Sequence, residues 1–191
     1  MNVIKKTLIA SCLAMLAGNV MATDGTIEFT GEILLNTCQF ANGDVVNVEL
    51  GHYSVDQFKG VGDRSPAIPF DIPLTGCPTT EWQHVNGSTD NSFQVWLETR
   101  TNGTTGANNE LVKVSGATTE TTATGVGIRI DSVQHNNTQM ALNKLNTPGI
   151  TFTPEVDGTA TVGLQAYYVA TNALVTPGQA NATVDVTIDY R

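Results

Sequence analysis

Apolar and polar residues alternate strictly along the last stretch of the chain. From residue 180 onward, apolar side chains occupy one parity and polar side chains the other. Successive side chains of a β-strand point to opposite faces, so the pattern predicts a half-buried strand over Ala180–Tyr190. The later residues on its apolar parity are Val184, Val186, Ile188 and Tyr190. A strand this close to the end of the chain has no hairpin partner after it, so its far edge needs another cover.

Similar short runs, rich in Val, Ile, Thr, Phe and Tyr, recur through the chain between turn signals such as Asn-Gly, Pro-Gly and Asp-Gly. No stretch of about a dozen residues has a helical period, so the sequence predicts an all-β chain folded as an immunoglobulin-like β-sandwich. The remaining predicted strands are Thr26–Asn36, Val45–Leu50, Ala67–Leu74, Ser92–Thr99, Leu111–Val114, Gly125–Asp131, Ile150–Thr153 and Ala160–Ala170. Trp96 falls on the polar parity of its strand, which predicts either a surface aromatic or a contact between sheets.

The first residues are typical of a secretory signal peptide. Lys5 and Lys6 precede a short apolar run, and Val20-Met21-Ala22 fits a cleavage site. We expect residues 1–22 to be removed. A lipoprotein box ending at Cys12 is the weaker alternative, because too little apolar core precedes it.

The start of the mature chain has a one-faced strand of its own. Residues 23–32 alternate, with Ile27, Phe29, Gly31 and then Ile33 on one parity, before three consecutive apolar residues begin at Ile33. We therefore divide the mature chain into an N-terminal extension, residues 23–32, and a domain, residues 33–191. An extension of this kind could fill the open edge of another copy by β-augmentation, and head-to-tail contacts of that type build open filaments.

The charge and the cysteines fit an exported protein. Loss of Lys5 and Lys6 with the leader changes the formal charge from −9 to −11, which does not favour nucleic acid. Cys38 and Cys77 then remain, and an oxidising compartment favours a disulfide between them. Metal ligation or a reactive thiol lacks support, since neither a CxxC motif nor an adjacent histidine is present.

The sequence contains no pattern typical of catalysis. The histidines at 52, 84 and 135 have no partner at metal-ligand spacing and no nucleophile motif beside them. Glu28 and Glu32 would lie roughly 13 Å apart along a strand, beyond the separation that glycosidase carboxylates need. We therefore predict no enzymatic activity, no cofactor and no metal site.

Several motifs together resemble chaperone–usher fimbrial subunits of the type 1 pilin family. They are Gly25–Ile33 through Cys38, Val48-Glu-Leu-Gly51, Phe70-Asp-Ile-Pro-Leu74 before Cys77, Leu164-Gln-Ala-Tyr-Tyr-Val-Ala-Thr171, Thr176-Pro-Gly178 and the ending Ile188-Asp-Tyr-Arg191. A penultimate Tyr and a Gly fourteenth from the end are typical of the family, here Tyr190 and Gly178.

The resemblance implies an immunoglobulin-like sandwich that lacks its last strand. The donor strand would present Ile27, Phe29, Gly31 and Ile33, and the acceptor groove would be lined by Val184, Val186, Ile188 and Tyr190. The implied function is a structural subunit of an adhesive fimbria at the cell surface. Its expected partners are neighbouring subunits, a periplasmic chaperone and an outer-membrane usher. The alternative is a secreted lectin or adhesin module, which the single domain and the donor extension disfavour.

Overall fold

A computed structural model describes residues 28, 37–84, 87–100, 103–143 and 149–190, and residues 34–191 form one compact unit. Its strands are β1 (Gln39–Phe40), β2 (Ile68–Thr75), β3 (Trp82–Gln83), β4 (Thr89–Asp90), β5 (Phe93–Thr99), β6 (Thr104–Thr105), β7 (Leu111–Lys113), β8 (Val126–Ser132), β9 (Thr138–Gln139), β10 (Ile150–Phe152), β11 (Ala160–Ala170) and β12 (Val184–Asp189). Two short 3-10 turns are described, at Val55–Gln57 and Val133–His135. The prediction of an all-β chain is confirmed.

The first sheet is built on the long strand β11. Its order is β1-β2-β11-β8-β7-β6, with β9 paired to β8. β11 is antiparallel to β2 on one side and to β8 on the other, with Leu164 opposite both Phe70 and Ser132. The alternation within β11 sends Val162 and Leu164 into the core, where both are almost fully buried.

The second sheet is smaller and has the order β10-β5-β12. β5 is its central strand, and Phe93, Val95 and Leu97 point from it into the core with at most 1% of their surface exposed. Side chains of both sheets meet in one apolar cluster, so the two sheets form a β-sandwich. A separate hairpin, β3–β4, precedes β5.

A disulfide joins Cys38 to Cys77, as the sequence predicted. It ties the residue before β1 to the chain just after β2, and both cysteines belong to the buried cluster. The closed loop spans a sequence separation of 39 residues. In the chain-entropy model a loop of this length stabilises the fold by about 4 kcal/mol.

Most of the predicted strands form close to their predicted bounds, with Ala160–Ala170 matched at both ends. The predicted strand Val45–Leu50 is wrong, because these residues pair with no strand. The C-terminal strand is shorter than predicted and begins at Val184 rather than Ala180. The predicted strand Thr26–Asn36 lies outside the described residues except for Glu28. Alternation of apolar and polar residues indicates that a segment favours an extended, half-buried conformation. A β-strand also requires the edge of a neighbouring strand with which to pair.

Trp96 is buried although it lies on the outer parity of β5. A Cβ atom on Gly149 would come within 2.8 Å of its indole ring, so the missing side chain at Gly149 leaves room for the tryptophan. Trp96 is therefore buried on the outer face of the second sheet, next to Gly149, although its position in β5 lies on the polar parity.

Gly178 lies against the backbone of residues 121–123, in the loop before β8. A Cβ atom there would stand 2.5 Å from the Ala123 nitrogen and 2.6 Å from the Thr121 oxygen. Gly178→Ala should therefore force a backbone shift and lower the free energy of unfolding by about 1–3 kcal/mol, measured by urea denaturation. Gly60→Ala is the control, since the nearest atom to its added Cβ would be a carboxylate oxygen 3.9 Å away. Equal stability of the two variants would contradict this account.

Candidate functional site

The free edge of β12 is the main structural feature of the second sheet. β12 pairs in antiparallel register with β5, from Val184 opposite Thr99 to Asp189 opposite Gln94. Within the described part of the chain no strand pairs with its other edge. Free N–H and C=O groups along such an edge are a template for another strand.

The apolar side chains of β12 face the core but are not fully covered. Val186 lies opposite Leu97 and Ile188 opposite Val95, and residues opposite each other on antiparallel strands share a face. Leu97 and Val95 are 1% and 0% exposed, whereas the β12 residues are only half-buried. Apolar side chains that face the core at an open edge form an incomplete core, and another apolar strand could complete it.

Tyr190 closes the end of this edge. It is buried, with its ring packed near Phe93 and its hydroxyl oxygen accepting a hydrogen bond from the Cys38 backbone N–H. Burial raises the pKa of the Tyr190 phenol, so the hydroxyl stays neutral in ordinary buffers. Tyr190 is thus more deeply buried than the β12 residues before it. In the predicted acceptor groove it would lie at the end that its own side chain closes.

The β3–β4 hairpin contacts Tyr190, the last described residue. The sequence did not indicate this contact. The Trp82 indole N–H donates a 3.0 Å hydrogen bond to the Tyr190 carbonyl, and the two rings lie 6.0 Å apart. His84 packs against Trp82 and lies 2.9 Å from an Asp90 oxygen. Trp82 and His84, with one residue between them, were the available signal, but nothing in their spacing specifies contact with the chain end.

The chain between Cys38 and Tyr53 is anchored near the C-terminal stretch at each of its two ends. It starts at the end of β12, where the Cys38 N–H reaches Tyr190. It ends where the Tyr53 ring packs edge-on against Tyr168 at 6.1 Å, and the Tyr168 hydroxyl donates to the carbonyl of Ala180, four residues before β12 begins. The two ends of this segment are therefore anchored near opposite ends of the C-terminal stretch.

The middle of that segment, residues 42–50, is also without a paired strand in the described part of the chain. Within the described chain, residues 42–50 make no backbone hydrogen bond and belong to no strand. Val45 is 72% exposed and Val46 is 37% exposed, whereas Leu50 packs against the core cluster. Within the described chain, residues 42–50 are thus a largely exposed, unpaired segment that includes Val45, Val46 and Leu50.

The outer face of β12 is polar. Arg100 donates from Nε and Nη2 to the carboxylate of Asp185, and this hydrogen-bonded ion pair lowers the pKa of Asp185. Both side chains are about half exposed, so the pair contributes little to stability. The pair marks this face of β12 as the solvent-exposed one, opposite to Val184, Val186 and Ile188.

Known proteins similar to this chain are described as fimbrial or fimbrial-like proteins. Residues 27–191 match the family model described as "Fimbrial protein". A fimbrial-like protein of Escherichia coli K12, YraH, is 48% identical over 196 residues and matches 100% of both chains. A type-1 fimbrial protein subunit of Serratia marcescens is 36% identical, with 96% of each chain covered.

This chain belongs to the fimbrial protein family. A subunit chain in a solved chaperone–usher pilus, studied for rod uncoiling, superposes with a TM-score of 0.60 at 18% identity and covers 92% of this chain and 100% of that one. The fold is thus the immunoglobulin-like sandwich of pilins, and the protein is a structural subunit of a fimbria. It assembles with other fimbrial subunits at the cell surface.

The predicted donor residues of this fimbrial subunit, Ile27, Phe29, Gly31 and Ile33, lie outside the described residues, as does the leader. Among the residues that are described, no helix is long and apolar enough to cross a membrane. The same residues include no group of three or more His, Cys, Asp or Glu side chains that could hold a metal ion.

Proposed function

We propose that this fimbrial subunit polymerises by strand donation into the gap between β12 and residues 42–50. The N-terminal extension of the next subunit enters this acceptor groove, with Ile27, Phe29, Gly31 and Ile33 turned toward the core. The observation that carries the proposal is the edge of β12 with which no described strand pairs and whose core-facing side chains are only half-buried.

The two surfaces are matched in chemistry. Val184, Val186 and Ile188 offer apolar surface, and the donor parity offers Ile27, Phe29 and Ile33. Full burial of an aliphatic or Phe side chain stabilises a fold by about 1.5–3 kcal/mol. The donor also supplies a strand for the edge of β12 with which no described strand pairs, and backbone groups are costly to leave unpaired in a dry interface.

The outward parity of the extension is polar. Glu28 and Glu32 flank the apolar donor positions. In a strand they point away from the core, so solvent hydrates them while Phe29 and Ile33 are buried. This polarity gives the donor strand one preferred face, and a register slip of one residue would bury the carboxylates instead.

The proposal implies a route of export. The leader, residues 1–22, directs the chain out of the cytoplasm, and a periplasmic chaperone covers the groove until an outer-membrane usher exchanges its strand for the next subunit's extension. Such temporary cover keeps an apolar edge from aggregating. In this scheme residues 23–32 are the donor extension and residues 33–191 the acceptor domain, and the protein has a structural and not a catalytic role.

A synthetic peptide of residues 23–33 tests the groove directly. The subunit is purified with its chaperone and incubated with the peptide. We expect the peptide to replace the chaperone and give a one-to-one complex with the subunit, detected by size-exclusion chromatography with intact-mass analysis. The physical reason is that the peptide supplies both the apolar face and the backbone partners that β12 lacks.

Two altered peptides serve as matched controls. A peptide with Ile27→Asp and Phe29→Asp should fail to displace the chaperone, because each charge would have to enter an apolar groove. A peptide with Glu28→Ser and Glu32→Ser should displace it as well as the natural sequence does. Equal displacement by all three peptides, or by none, would overturn the proposal.

A further inference from the structure

A pocket on the outer face of the first sheet lies outside the acceptor groove. Its volume is about 310 Å³, and its main lining residues are Arg64, Ala67, Asn137, Gln165 and Tyr167. β11 supplies Gln165 and Tyr167 from the parity opposite to Val162 and Leu164, so the pocket lies on the side of the sheet that faces away from the core.

The Arg64 backbone is fixed beside β11. Arg64 forms an antiparallel bridge with Val169. The Ser65 N–H donates to the Tyr168 carbonyl at 3.0 Å, and the Tyr168 N–H donates to the Ser65 hydroxyl oxygen at 3.0 Å. The Ala170 N–H donates to the Asp63 carbonyl. The Arg64 backbone is therefore anchored on both sides, and its exposed side chain extends from a fixed point of the chain beside Tyr167.

Tyr167, the floor of the pocket, is also held rigidly. Its hydroxyl donates a 2.8 Å hydrogen bond to Asp131, which is 2% exposed and also accepts a 2.8 Å hydrogen bond from Arg129 Nε. The Arg64 guanidinium carbon lies 5.8 Å from the Tyr167 ring centroid, within the range of a cation–π contact. Burial and the Asp131 carboxylate raise the pKa of Tyr167, so its hydroxyl remains a donor.

The charge of Arg64 is not neutralised by any carboxylate among the described residues. The arginines at 100 and 129 each pair with an aspartate, whereas Arg64 forms no salt bridge there. The full chain has a formal charge of −9, so a positive group at a pocket is unusual for this surface. A guanidinium recognises a carboxylate through parallel N–H donors.

The remaining wall of the pocket offers groups that suit hydroxyls. Gln165 Nε2 donates to Asn137 Oδ1 at 3.2 Å. This bond orients both amides and leaves Gln165 Oε1 as an acceptor and Asn137 Nδ2 as a donor. A carboxylate site flanked by one amide donor and one amide acceptor matches a pyranose ring that bears both a carboxylate and hydroxyl groups.

From this arrangement we propose that the pocket binds an acidic monosaccharide, with Arg64 on its carboxylate and the Gln165–Asn137 pair on its hydroxyls. A sugar is favoured over an acidic side chain of a neighbouring subunit because the site is a concave cavity with several polar groups beside the cation. A protruding Asp or Glu would use only the guanidinium. The assigned site is separate from strand donation and does not depend on it.

The test uses assembled fimbriae and three labelled probes: glucuronic acid, N-acetylneuraminic acid and galactose. We expect saturable binding of at least one acidic sugar and none of galactose, measured by equilibrium binding to purified fibres. Arg64→Gln should lower the affinity for the acidic sugar about tenfold or more, since it removes the charge that would hydrogen-bond the sugar carboxylate. Arg64→Lys should give an intermediate loss, because it keeps the charge without the planar fork.

Lys113→Gln is the matched control, because it removes one exposed positive charge from another strand of the same sheet. It should leave the affinity unchanged. The proposal is overturned if neither acidic sugar binds saturably, if galactose binds equally well, or if the two Gln variants lose affinity alike. It is also overturned if the fibres bind no sugar and Arg64→Gln instead disrupts packing between subunits, which would assign the pocket to a contact between copies.

Discussion

Ile188→Asp is expected to prevent accumulation of the subunit in the periplasm. Ile188 lies opposite Val95, which is fully buried, so the new carboxylate would face the apolar core at the centre of the acceptor groove. Burial of an unpaired charge carries an effective penalty of several kcal/mol, comparable with the whole stability of a domain. Neither a chaperone strand nor a donor strand could then cover the groove. The measurement is the amount of subunit in periplasmic extracts with the chaperone co-expressed.

Thr183→Asp provides the matched control for this variant. It introduces the same charge one residue before β12, at an exposed position on the other parity. We expect near-normal accumulation of this variant and its incorporation into fibres. Normal soluble yield of Ile188→Asp, with the chaperone co-expressed or without it, would mean that this face of β12 is not the acceptor surface.

Removal of residues 23–32 is expected to abolish extension of the fibre beyond each truncated subunit. The acceptor groove remains intact in this variant, so the subunit should still bind the chaperone and still accept a donor strand. It cannot fill the groove of another subunit, because the apolar positions Ile27, Phe29 and Gly31 are missing. Electron microscopy of cells that produce only the truncated chain should show no fibres, and the chaperone complex should remain in the periplasm.

A substituted extension separates the loss of chain length from the loss of the apolar face. Ile27→Asp with Phe29→Asp keeps the full length and should also abolish fibres, whereas Glu28→Ser with Glu32→Ser should preserve them. Long fibres from the truncated chain would show that polymerisation uses another surface.

The strand pattern was largely readable from the sequence because side-chain alternation is a local property. β11 and the inward faces of β5 and β12 follow directly from period two. The disulfide was also predictable, since an exported chain with Cys38 and Cys77 as its remaining cysteines has few alternatives. Val45–Leu50 has the same strand-like composition, but among the described residues it pairs with no strand, because alternation alone does not provide a neighbouring edge.

Contacts around the chain end could not be predicted in this way. Trp82 reaches Tyr190 across 108 residues of sequence, and the Cys38 N–H reaches Tyr190 across 152. Arg64 beside Tyr167 is another such contact, since it depends on the chain returning along the edge of β11. No local pattern carries information about pairings of this range.

The sequence by itself determined which segments are extended, which face of each is apolar, and that both ends of the mature chain carry one-faced strand patterns. These properties depend on neighbouring residues and on the period of the backbone. Only the tertiary structure decided that no described strand pairs with one edge of β12, that the chain from Cys38 to Tyr53 is anchored near both ends of the C-terminal stretch, and that Tyr190 is buried at the end of β12. Whether an edge is open depends on which strands meet after folding, and that outcome is set by packing over the whole sandwich.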